Sequence, residues 1–322
     1  MKSAVLLVNL GSPKSPSVAD VRAYLREFLI DPLVIVGPAI FRWILVNGII
    51  APFRSPKSAE AYAKIWNAQT GSPLLYHSQN MANKLATELP DMQLRLAMRY
   101  GEPSLRAAIQ QILFCDRLYV LPMYPQFAES SSGSVLVEVR KICRELQFKG
   151  ELLECRSFSA HPGFINAVTE NIAREIEVFH PDCVLLSYHG LPIRQVGGYR
   201  DECFATSSAI VEQLSTRAQW PKDKTLTGFQ SRLNNRWIQP FSDHFFRTLS
   251  SQGVRRLLVA CPSFVADCLE TLEEIAMRGR EEFCFHGGED LKLVPCLNDS
   301  PMWVKTVTDI VRDPNYWHTG AR

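Results

Sequence analysis

Residues 183–192 read CVLLSYHGLP, and this stretch is decisive for the fold class. It begins with an unbroken apolar run, and Gly190 and Pro192 close it. A short apolar run that ends at turn residues is typical of a strand buried on both faces of a parallel sheet. Similar runs recur along the chain, each followed by a segment of helical period, at 4–10, 94–99, 118–121, 152–155, 225–229, 256–260 and 291–295. The sequence therefore predicts an α/β protein.

The strands and helices alternate in two series, which predicts two doubly wound units, each a four-stranded parallel sheet flanked by helices. The segment RSFSAHP, residues 156–162, interrupts both patterns. We therefore predict an N-terminal domain over 1–158 and a C-terminal domain over 159–322, and the final helix, about 301–314, is a candidate to pack on the N-terminal domain. The other predicted helices are 18–29, 58–66, 79–89, 104–113, 134–146, 163–179 and 267–279.

The composition is that of an ordinary globular protein. Of the 322 residues, 46% are hydrophobic and 21% are charged, which excludes a disordered, collagen-like or coiled-coil chain. The 35 basic and 33 acidic residues give a net charge of +2, too small for a nucleic-acid partner to be expected. The nine cysteines show neither a CxxC pair nor zinc-type spacing, so we predict a reduced, cytoplasmic chain.

The longest apolar stretch runs from Pro32 to Phe53, PLVIVGPAIFRWILVNGIIAPF. It contains Arg42, Asn47 and three prolines, so it does not provide the ~20 uninterrupted apolar residues of a membrane-spanning helix. The first apolar run, 5–10, is too short for the core of a signal peptide. We predict that the chain does not span a bilayer and is not exported.

Ligands of open α/β sheets bind at the carboxyl ends of the strands, and His189 follows such a strand. Gly190 and Pro192 favour a sharp turn there, which could direct the imidazole into a cleft as a base or a metal ligand. A histidine that merely completes the core explains this run equally well.

A second group follows the strand 256–260. Asp267, Glu270 and Glu274 have the spacing i, i+3, i+7, which places three carboxylates on one face of a helix that starts near Asp267. A capping box, with Asp267 as N-cap and Glu270 at N3, accounts for two of them without any function. Taken together with His189, however, the carboxylates form a sparse set of ligands that suits Fe²⁺ in transit and can also accept protons.

Aromatic and apolar residues lie around two strand ends in the first half of the chain. Arg99 and Tyr100 follow the second strand, and Tyr124 lies near the end of the third. Flat apolar surfaces with an arginine suit a large planar ligand that carries carboxylates. Core packing explains most of these residues equally well.

Together these segments resemble the ferrochelatase family, the enzymes that insert ferrous iron into a porphyrin. The resemblance extends over nearly the whole chain. It is carried by ten motifs in order: LLVNLGSP (6–13), FLID (28–31), SPK (55–57), GSPL (71–74), MRY (98–100), YPQ (124–126), SYHGLP (187–192), GFQSR (228–232), SFVADCLETLEEI (263–275) and PCLNDSP (295–301).

The resemblance implies two Rossmann-like chelatase domains with the active-site cleft between them. It implies that Fe²⁺ enters protoporphyrin IX to give protohaem with release of two protons, the last step of haem biosynthesis. His189 is similar to the essential histidine of the family and Glu270 to its partner glutamate, and these two residues are also the expected metal ligands. Asp267 and Glu274 resemble the acidic line that serves as a proton or metal path.

The family also implies which residues contact the porphyrin. Leu10, Arg99, Tyr100 and Phe264 resemble its porphyrin-contacting positions, Arg54 is expected to pair with a propionate, and Tyr124 is added from the aromatic pattern at the third strand end. The segment 32–53 resembles an apolar lip that touches the bilayer in membrane-associated members. Peripheral contact with the inner face of the membrane is therefore expected here, and either a monomer or a homodimer fits the sequence.

Two features depart from the usual family pattern. No cysteine follows Cys296, so we predict no iron-sulfur cluster and no permanently bound cofactor, with Fe²⁺ as a substrate. The loops 197–203 and 233–240 are atypical, which leaves their geometry open. Three alternatives remain: a coproporphyrin ferrochelatase, a cobalt chelatase, and a non-catalytic haem or porphyrin carrier in which His189 is an axial ligand.

Overall fold

Two separate sheets organise the computed structural model, which describes residues 2–320. The first sheet has the strand order β2-β1-β3-β4-β9 and the second has the order β6-β5-β7-β8. The strands are β1 Ser3–Gly11, β2 Met92–Tyr100, β3 Arg117–Pro122, β4 Glu151–Glu154, β5 Cys183–His189, β6 Thr225–Gln230, β7 Arg256–Ala260, β8 Asp290–Leu293 and β9 His318–Thr319. All pairings are parallel except β4 with β9.

The two parallel sheets confirm the predicted α/β class. Each of the eight predicted apolar runs coincides with a strand, because a continuous aliphatic run is stable only where both faces of the sheet are covered. The first sheet has a fifth, antiparallel strand, β9, that the sequence analysis did not predict. β9 has two residues, which is too short for any periodicity to reveal.

Helices flank both sheets. The α-helices are α1 Val18–Leu29, α2 Ala39–Ile44, α3 Ala51–Ile65, α4 Pro73–Glu88, α5 Leu105–Gln111, α6 Ser134–Glu145, α7 Pro162–Phe179, α8 Tyr199–Arg217, α9 Ser242–Thr248, α10 Leu269–Thr271, α11 Arg280–Phe285 and α12 Pro301–Arg312. The π-helices are Leu45–Ile50, Glu129–Gly133 and Leu272–Gly279, and the 3₁₀ turns are Ile193–Gln195, Lys222–Lys224, Ser250–Gln252 and Pro314–Tyr316.

Local sequence explains several helix limits. Ser17 caps α1 by accepting a hydrogen bond from the Asp20 amide, and the predicted and observed bounds of this helix agree. The long helix α8 was not predicted. Its buried face includes Thr206 and Ser207, so the hydrophobic period that would indicate a helix is weak there.

The chain divides into two units that differ from the predicted domains at one end. The first unit contains the chain up to Phe158 and again from Asp299 onward, and the second contains Ser159–Asn298. The predicted range 159–322 therefore includes a tail that belongs to the first unit. Within that unit α12 packs on α4, and the buried Trp303 lies with its ring 5.7 Å from that of Phe158.

Each unit has its own core between sheet and helices. In the first unit, inward-facing strand residues such as Leu6 and Val120 pack with Val139 of α6. In the second, Leu257 and Val259 pack with Ile275 and with residues of α9 and α11. Each fully buried aliphatic side chain contributes about 1.5 to 3 kcal/mol to folding. The cores thus fix the strands, and the carboxyl ends of the strands carry the polar residues that the sequence singled out.

Candidate active site

His189 is the last residue of β5, and two neighbouring elements hold its backbone. The His189 amide donates to Ser263 Oγ at 2.9 Å, and the hydroxyl of Tyr199, on α8, donates to the His189 carbonyl at 2.9 Å. The sequence indicated the place of His189 but not the roles of Ser263 and Tyr199. These two bonds leave little freedom to the backbone from which the imidazole projects.

An aromatic ring and a close strand contact lie beside His189. The Phe264 ring meets it edge-on, with the ring centres 6.1 Å apart. The next residue must be glycine, because a Cβ at Gly190 would lie 2.6 Å from the Gln230 carbonyl oxygen. This close approach brings β5 and β6 together immediately beside the histidine.

Burial and a carboxylate act in opposite directions on the pKa of His189. Burial lowers this pKa below its ordinary value of 6.5, and the negative charge of Glu270 opposes the shift without cancelling it. The imidazole is therefore neutral near neutral pH and can accept a proton. An effect of this kind requires Glu270 to lie within range of the imidazole for its charge to act.

Glu270 lies on α10, immediately before the π-helix Leu272–Gly279. The single helix predicted over 267–279 is therefore wrong in its form. The observed helix begins at Leu269, two residues later than predicted. Its capping box is made by Cys268 and Thr271 instead of by Asp267 and Glu270. A π-helix has i→i+5 hydrogen bonds, and such segments are rare but are frequently found at functional sites.

Asp267 precedes this helix and is buried. Its carboxylate accepts hydrogen bonds from the Asn298 side-chain amide at 2.7 Å, the Thr271 hydroxyl at 3.2 Å and the Cys296 backbone amide at 3.3 Å. These bonds join the start of the helix to the segment after β8. The carboxylate of Asp267 is thus engaged in holding the local structure, whereas the side chain of Glu270 has a hydrogen bond with the Cys268 thiol.

Glu274 lies on the π-helix, and Ser231 binds both of its oxygens. The Ser231 amide donates at 2.8 Å and its hydroxyl at 2.7 Å. Burial raises the pKa of Glu274 above its ordinary value, against the opposing effects of Ser231 and Arg278. This carboxyl group can therefore take up a proton more readily than an exposed glutamate.

In the first unit, Arg99 and Tyr100 belong to a buried network centred on Asp31. Asp31 Oδ2 accepts from Arg99 Nη2 at 2.6 Å, Tyr100 Oη at 2.9 Å and Ser134 Oγ at 2.6 Å. Burial alone would raise the pKa of Asp31, but these donors and the Leu33 amide lower it. The structure therefore places the two predicted porphyrin contacts in a bonded cluster, with Tyr100 only 1% exposed.

The other predicted porphyrin contacts have different settings. Leu10, near the end of β1, is partly exposed, and Tyr124 packs against the first core while remaining partly exposed. Arg54 is exposed on α3. Among residues 2–320, no three His, Cys, Asp or Glu side chains are grouped so as to hold a metal ion. Of the two predicted ligands, Glu270 acts on His189 through its charge.

The apolar lip, residues 32–53, is helical from Ala39 onward: α2 and the π-helix Leu45–Ile50 lead directly into α3. Several of its large side chains face outward, including Ile40, Phe41, Trp43 and Phe53, which are 58% to 78% exposed. Arg42 bonds to the lip itself and to Ile30, two residues before the lip, since Nε donates to the Ile30 carbonyl and Nη1 to the Gly37 carbonyl, both at 2.8 Å. In the part of the chain that the structure describes, no helix has the length and apolarity needed to cross a membrane.

The sequence matches a family. The sequence model described as Ferrochelatase matches residues 2–314. A protein named Ferrochelatase from Legionella pneumophila (strain Lens) is 40% identical, with 97% of this chain and 99% of that protein aligned. Another of the same name, from Coxiella burnetii (strain Dugway 5J108-111), is also 40% identical, over 97% of this chain and 93% of that protein.

Solved structures show the same architecture. SirB from Bacillus subtilis, solved with Fe³⁺, superposes with a TM-score of 0.56 at 11% identity, covering 97% of this chain and 95% of that one. CbiX, described as the terminal enzyme of sirohaem biosynthesis in denitrifying bacteria, gives a TM-score of 0.53 at 13% identity over 96% of this chain and 98% of that one. At such low identity the likeness concerns the fold alone, and it is the two-domain chelatase fold.

Proposed function

This chain belongs to the ferrochelatase family, and on that premise we propose that it inserts Fe²⁺ into protoporphyrin IX with His189 and Glu270 at the centre of the reaction. The chain is a metal chelatase of haem biosynthesis. Membership of the family does not define which porphyrin the chain takes or which side chains do the chemistry. The contacts and charges of the named residues support the proposal on both points.

The reaction sets two requirements. A free-base porphyrin carries two pyrrole N–H groups, so two protons must leave while Fe²⁺ binds the four ring nitrogens. The site therefore needs a base that is neutral near neutral pH and a route for the released protons. Apolar walls that hold the ring bent would expose the nitrogen lone pairs to the metal.

The observation that carries the proposal is the pairing of a neutral imidazole with a carboxylate. His189 has a lowered pKa, and the charge of Glu270 is near enough to affect it. In the proposal, His189 and Glu270 first bind Fe²⁺ together after the ion loses its water. When the ion passes to the ring nitrogens, the lone pair that this frees on the His189 imidazole accepts a pyrrole proton. An imidazole and a carboxylate together are suitable ligands for Fe²⁺.

In this proposal, protons leave along the helical segment 269–279, which carries Glu270 and Glu274. Glu274 lies one turn beyond Glu270, and burial has already raised its pKa, so it can hold a proton in transit. Asp267 is proposed to support this path by holding the start of the helix through its bonds to Asn298 and Thr271.

Porphyrin contacts are proposed for Leu10, Tyr124 and Arg54 in the first unit and for Phe264 in the second. The exposed guanidinium of Arg54 suits a propionate. Arg99 and Tyr100 are proposed to support the porphyrin site indirectly, because their donors already bind Asp31.

The test is a turnover assay. Purified protein is mixed anaerobically with Fe²⁺ and protoporphyrin IX, and haem formation is followed by absorption. Many haem molecules per chain are expected. A plateau at one haem per chain would instead identify a non-catalytic carrier, and preferential turnover of Co²⁺ would identify a cobalt chelatase.

The same assay with coproporphyrin distinguishes the two porphyrin substrates. Protoporphyrin carries two carboxylates and two vinyl groups, whereas coproporphyrin carries four carboxylates. The exposed apolar side chains of the lip favour the more apolar ring, since burying one such side chain contributes about 1.5 to 3 kcal/mol. We expect a higher kcat/KM with protoporphyrin, and the reverse ratio would assign the chain to coproporphyrin.

The lip is also the basis of a proposed peripheral contact with a membrane. Its outward-facing Phe41 and Trp43 can enter the interfacial region while the charge of Arg42 stays bonded to nearby carbonyls. In liposome flotation the protein should rise with anionic vesicles, and Trp43→Asp should abolish this. Phe285→Asp, at an exposed phenylalanine of the second unit, is the matched control. Flotation unchanged by Trp43→Asp would contradict the proposal.

No resident cofactor enters the proposal. Eight of the nine thiols are buried, and burial raises their pKa, which disfavours the thiolate form that an iron-sulfur cluster requires.

A further inference from the structure

Gln230 is the last residue of β6 and pairs directly with His189, the last residue of β5. The Gln230 carbonyl accepts a hydrogen bond from the Gly190 amide at 2.8 Å. The backbone of Gln230 is therefore joined to the strand end that carries the histidine. Its side chain is buried, with 3% of the residue exposed, so its amide must find partners inside the protein.

The partners of this amide define its orientation. Nε2 donates to the Glu270 carbonyl at 2.7 Å. Oε1 accepts from the Ser187 hydroxyl at 2.8 Å and lies 3.5 Å from the Cys261 thiol. Because a carbonyl can only accept and the Ser187 hydroxyl can donate, this assignment of nitrogen and oxygen satisfies every partner.

The amide thus connects the elements of the second unit that carry the site. Ser187 lies on β5 two residues before His189, and Cys261 follows β7 directly. Ser187 is itself held by the Ser242 hydroxyl at 2.7 Å. A continuous series of hydrogen bonds therefore leads from the sheet to the backbone of Glu270.

The bond reaches the helix at a sensitive position. Glu270 lies on the short α10, immediately before the π-helix, where the hydrogen-bond pattern changes from i→i+4 to i→i+5. A helix at such a change of pattern has less internal support than a regular one. An external donor to the Glu270 carbonyl can therefore fix the direction of its side chain.

From this geometry we infer that Gln230 is a positioning residue: it joins the Glu270 backbone to the strand end of His189 and sets the distance between the two side chains. The inference rests on the proposed function of His189 and Glu270. Gln230 itself touches neither iron nor porphyrin in this scheme. Its contribution is to hold the reacting pair in place, and a displacement of about 1 Å at such a pair can reduce the rate about 100-fold.

The main variant is Gln230→Met, which is similar in size but lacks both hydrogen bonds to Ser187 and Glu270. We expect kcat to fall about 10- to 100-fold, with KM for the porphyrin within about twofold of the wild type. The control is Asn171→Leu, which removes another side-chain amide that donates to a backbone carbonyl, that of Pro295, in the same unit. This variant should keep its kcat.

A double-mutant cycle separates positioning from general destabilisation. If Gln230 acts through Glu270, adding Gln230→Met to Glu270→Gln should lower kcat by less than about twofold further. A residue that only stabilises the fold would reduce the rate by the same factor in both backgrounds. Additive losses, or a kcat of the single variant within about twofold of the wild type, would overturn the inference.

Hydrogen exchange tests the anchor independently of activity. In Gln230→Met the amides of residues 269–279 should exchange at least about tenfold faster, while those of β7 keep their rates. Unchanged exchange in residues 269–279 would also overturn the inference. If the wild-type protein forms no haem, the proposed function fails, and the exchange experiment still decides whether Gln230 anchors the helix.

Discussion

The two sheets use the polar residues at their strand ends in different ways. In the first unit, the Tyr100 hydroxyl and Nη2 of Arg99 donate to Asp31, and Nε of Arg99 donates to Ser134 Oγ. In the second unit, neighbouring residues bond the backbones of His189 and Glu270, and the negative charge of Glu270 acts on the pKa of His189. Chemistry is therefore expected where the backbone is fixed and the side chain is available.

The largest expected effect is that of His189→Ala. Loss of a general base typically reduces the rate 10²- to 10⁴-fold, so haem formation should be nearly abolished while porphyrin binding, measured by fluorescence quenching, persists. His244→Ala, on the exposed side of α9, is the matched control and should be fully active. Near-normal turnover by His189→Ala would contradict the proposed role of His189 as the base of the reaction.

Asp31→Ala tests whether the bonded network of the first unit stabilises the fold. Removing one partner of a buried ion pair costs about 3 to 5 kcal/mol, so denaturant unfolding should show a loss of this size. Glu151→Ala breaks the exposed pair with Arg117, at 3.0 Å, and should cost at most about 1 kcal/mol. If the two variants lose the same stability, the Asp31 network does not have the structural role that we assign to it.

Glu270→Gln and Glu273→Gln compare neighbouring acids on one helix. Glu273 is buried and binds Arg278 Nε at 2.8 Å, so its side chain is occupied as those of the first unit are. We expect Glu270→Gln to lower kcat about 100-fold with little change in Tm. Glu273→Gln should lower Tm and leave kcat almost unchanged. A large loss of kcat in Glu273→Gln, with kcat unchanged in Glu270→Gln, would mean that Glu273 and not Glu270 takes part in the reaction.

The smallest of the expected effects is the change in stability of Glu274→Gln, and its size depends on pH. The pKa of Glu274 is raised in the folded state, so ionisation favours unfolding, and stability is lost as the pH rises from the unfolded-state pKa through the folded-state pKa. Replacing the acid with an amide removes this loss. Thermal melts should show Glu274→Gln more stable than the wild type at about pH 8, with a smaller difference at about pH 5. A difference that grows towards the lower pH would contradict the raised pKa.

Local patterns in the sequence predicted the strands well because each contains a short stretch rich in β-branched and aliphatic residues, as 183–186 illustrates. The form of the helical segment 269–279 was harder to predict. The spacing of Asp267, Glu270 and Glu274 was interpreted with the period of an α-helix, whereas most of the segment is a π-helix that starts after a cap at Cys268. Nothing in the residue types distinguishes these two forms.

The partners of the site depend on contacts distant in sequence. Gln230 is 40 residues from Glu270, and Asp31 is 68 from Arg99, so periodicity and local motifs could not reveal either bond. The motifs GFQSR and FLID did contain both residues. The available signal was a polar residue that ends or follows an apolar segment, whereas the identity of its partner depends on how the strands and helices pack.

The return of the chain to the first unit has a consequence for synthesis. β4 receives its edge partner β9, and Trp303 reaches its place beside Phe158, only after all of Ser159–Asn298 has been translated. A ribosome adding about 5 to 20 residues per second leaves the first sheet with an open edge at β4 for roughly 8 to 32 seconds. The half of the molecule made first is thus the half completed last, and in that interval it is the part most exposed to aggregation and most dependent on chaperones.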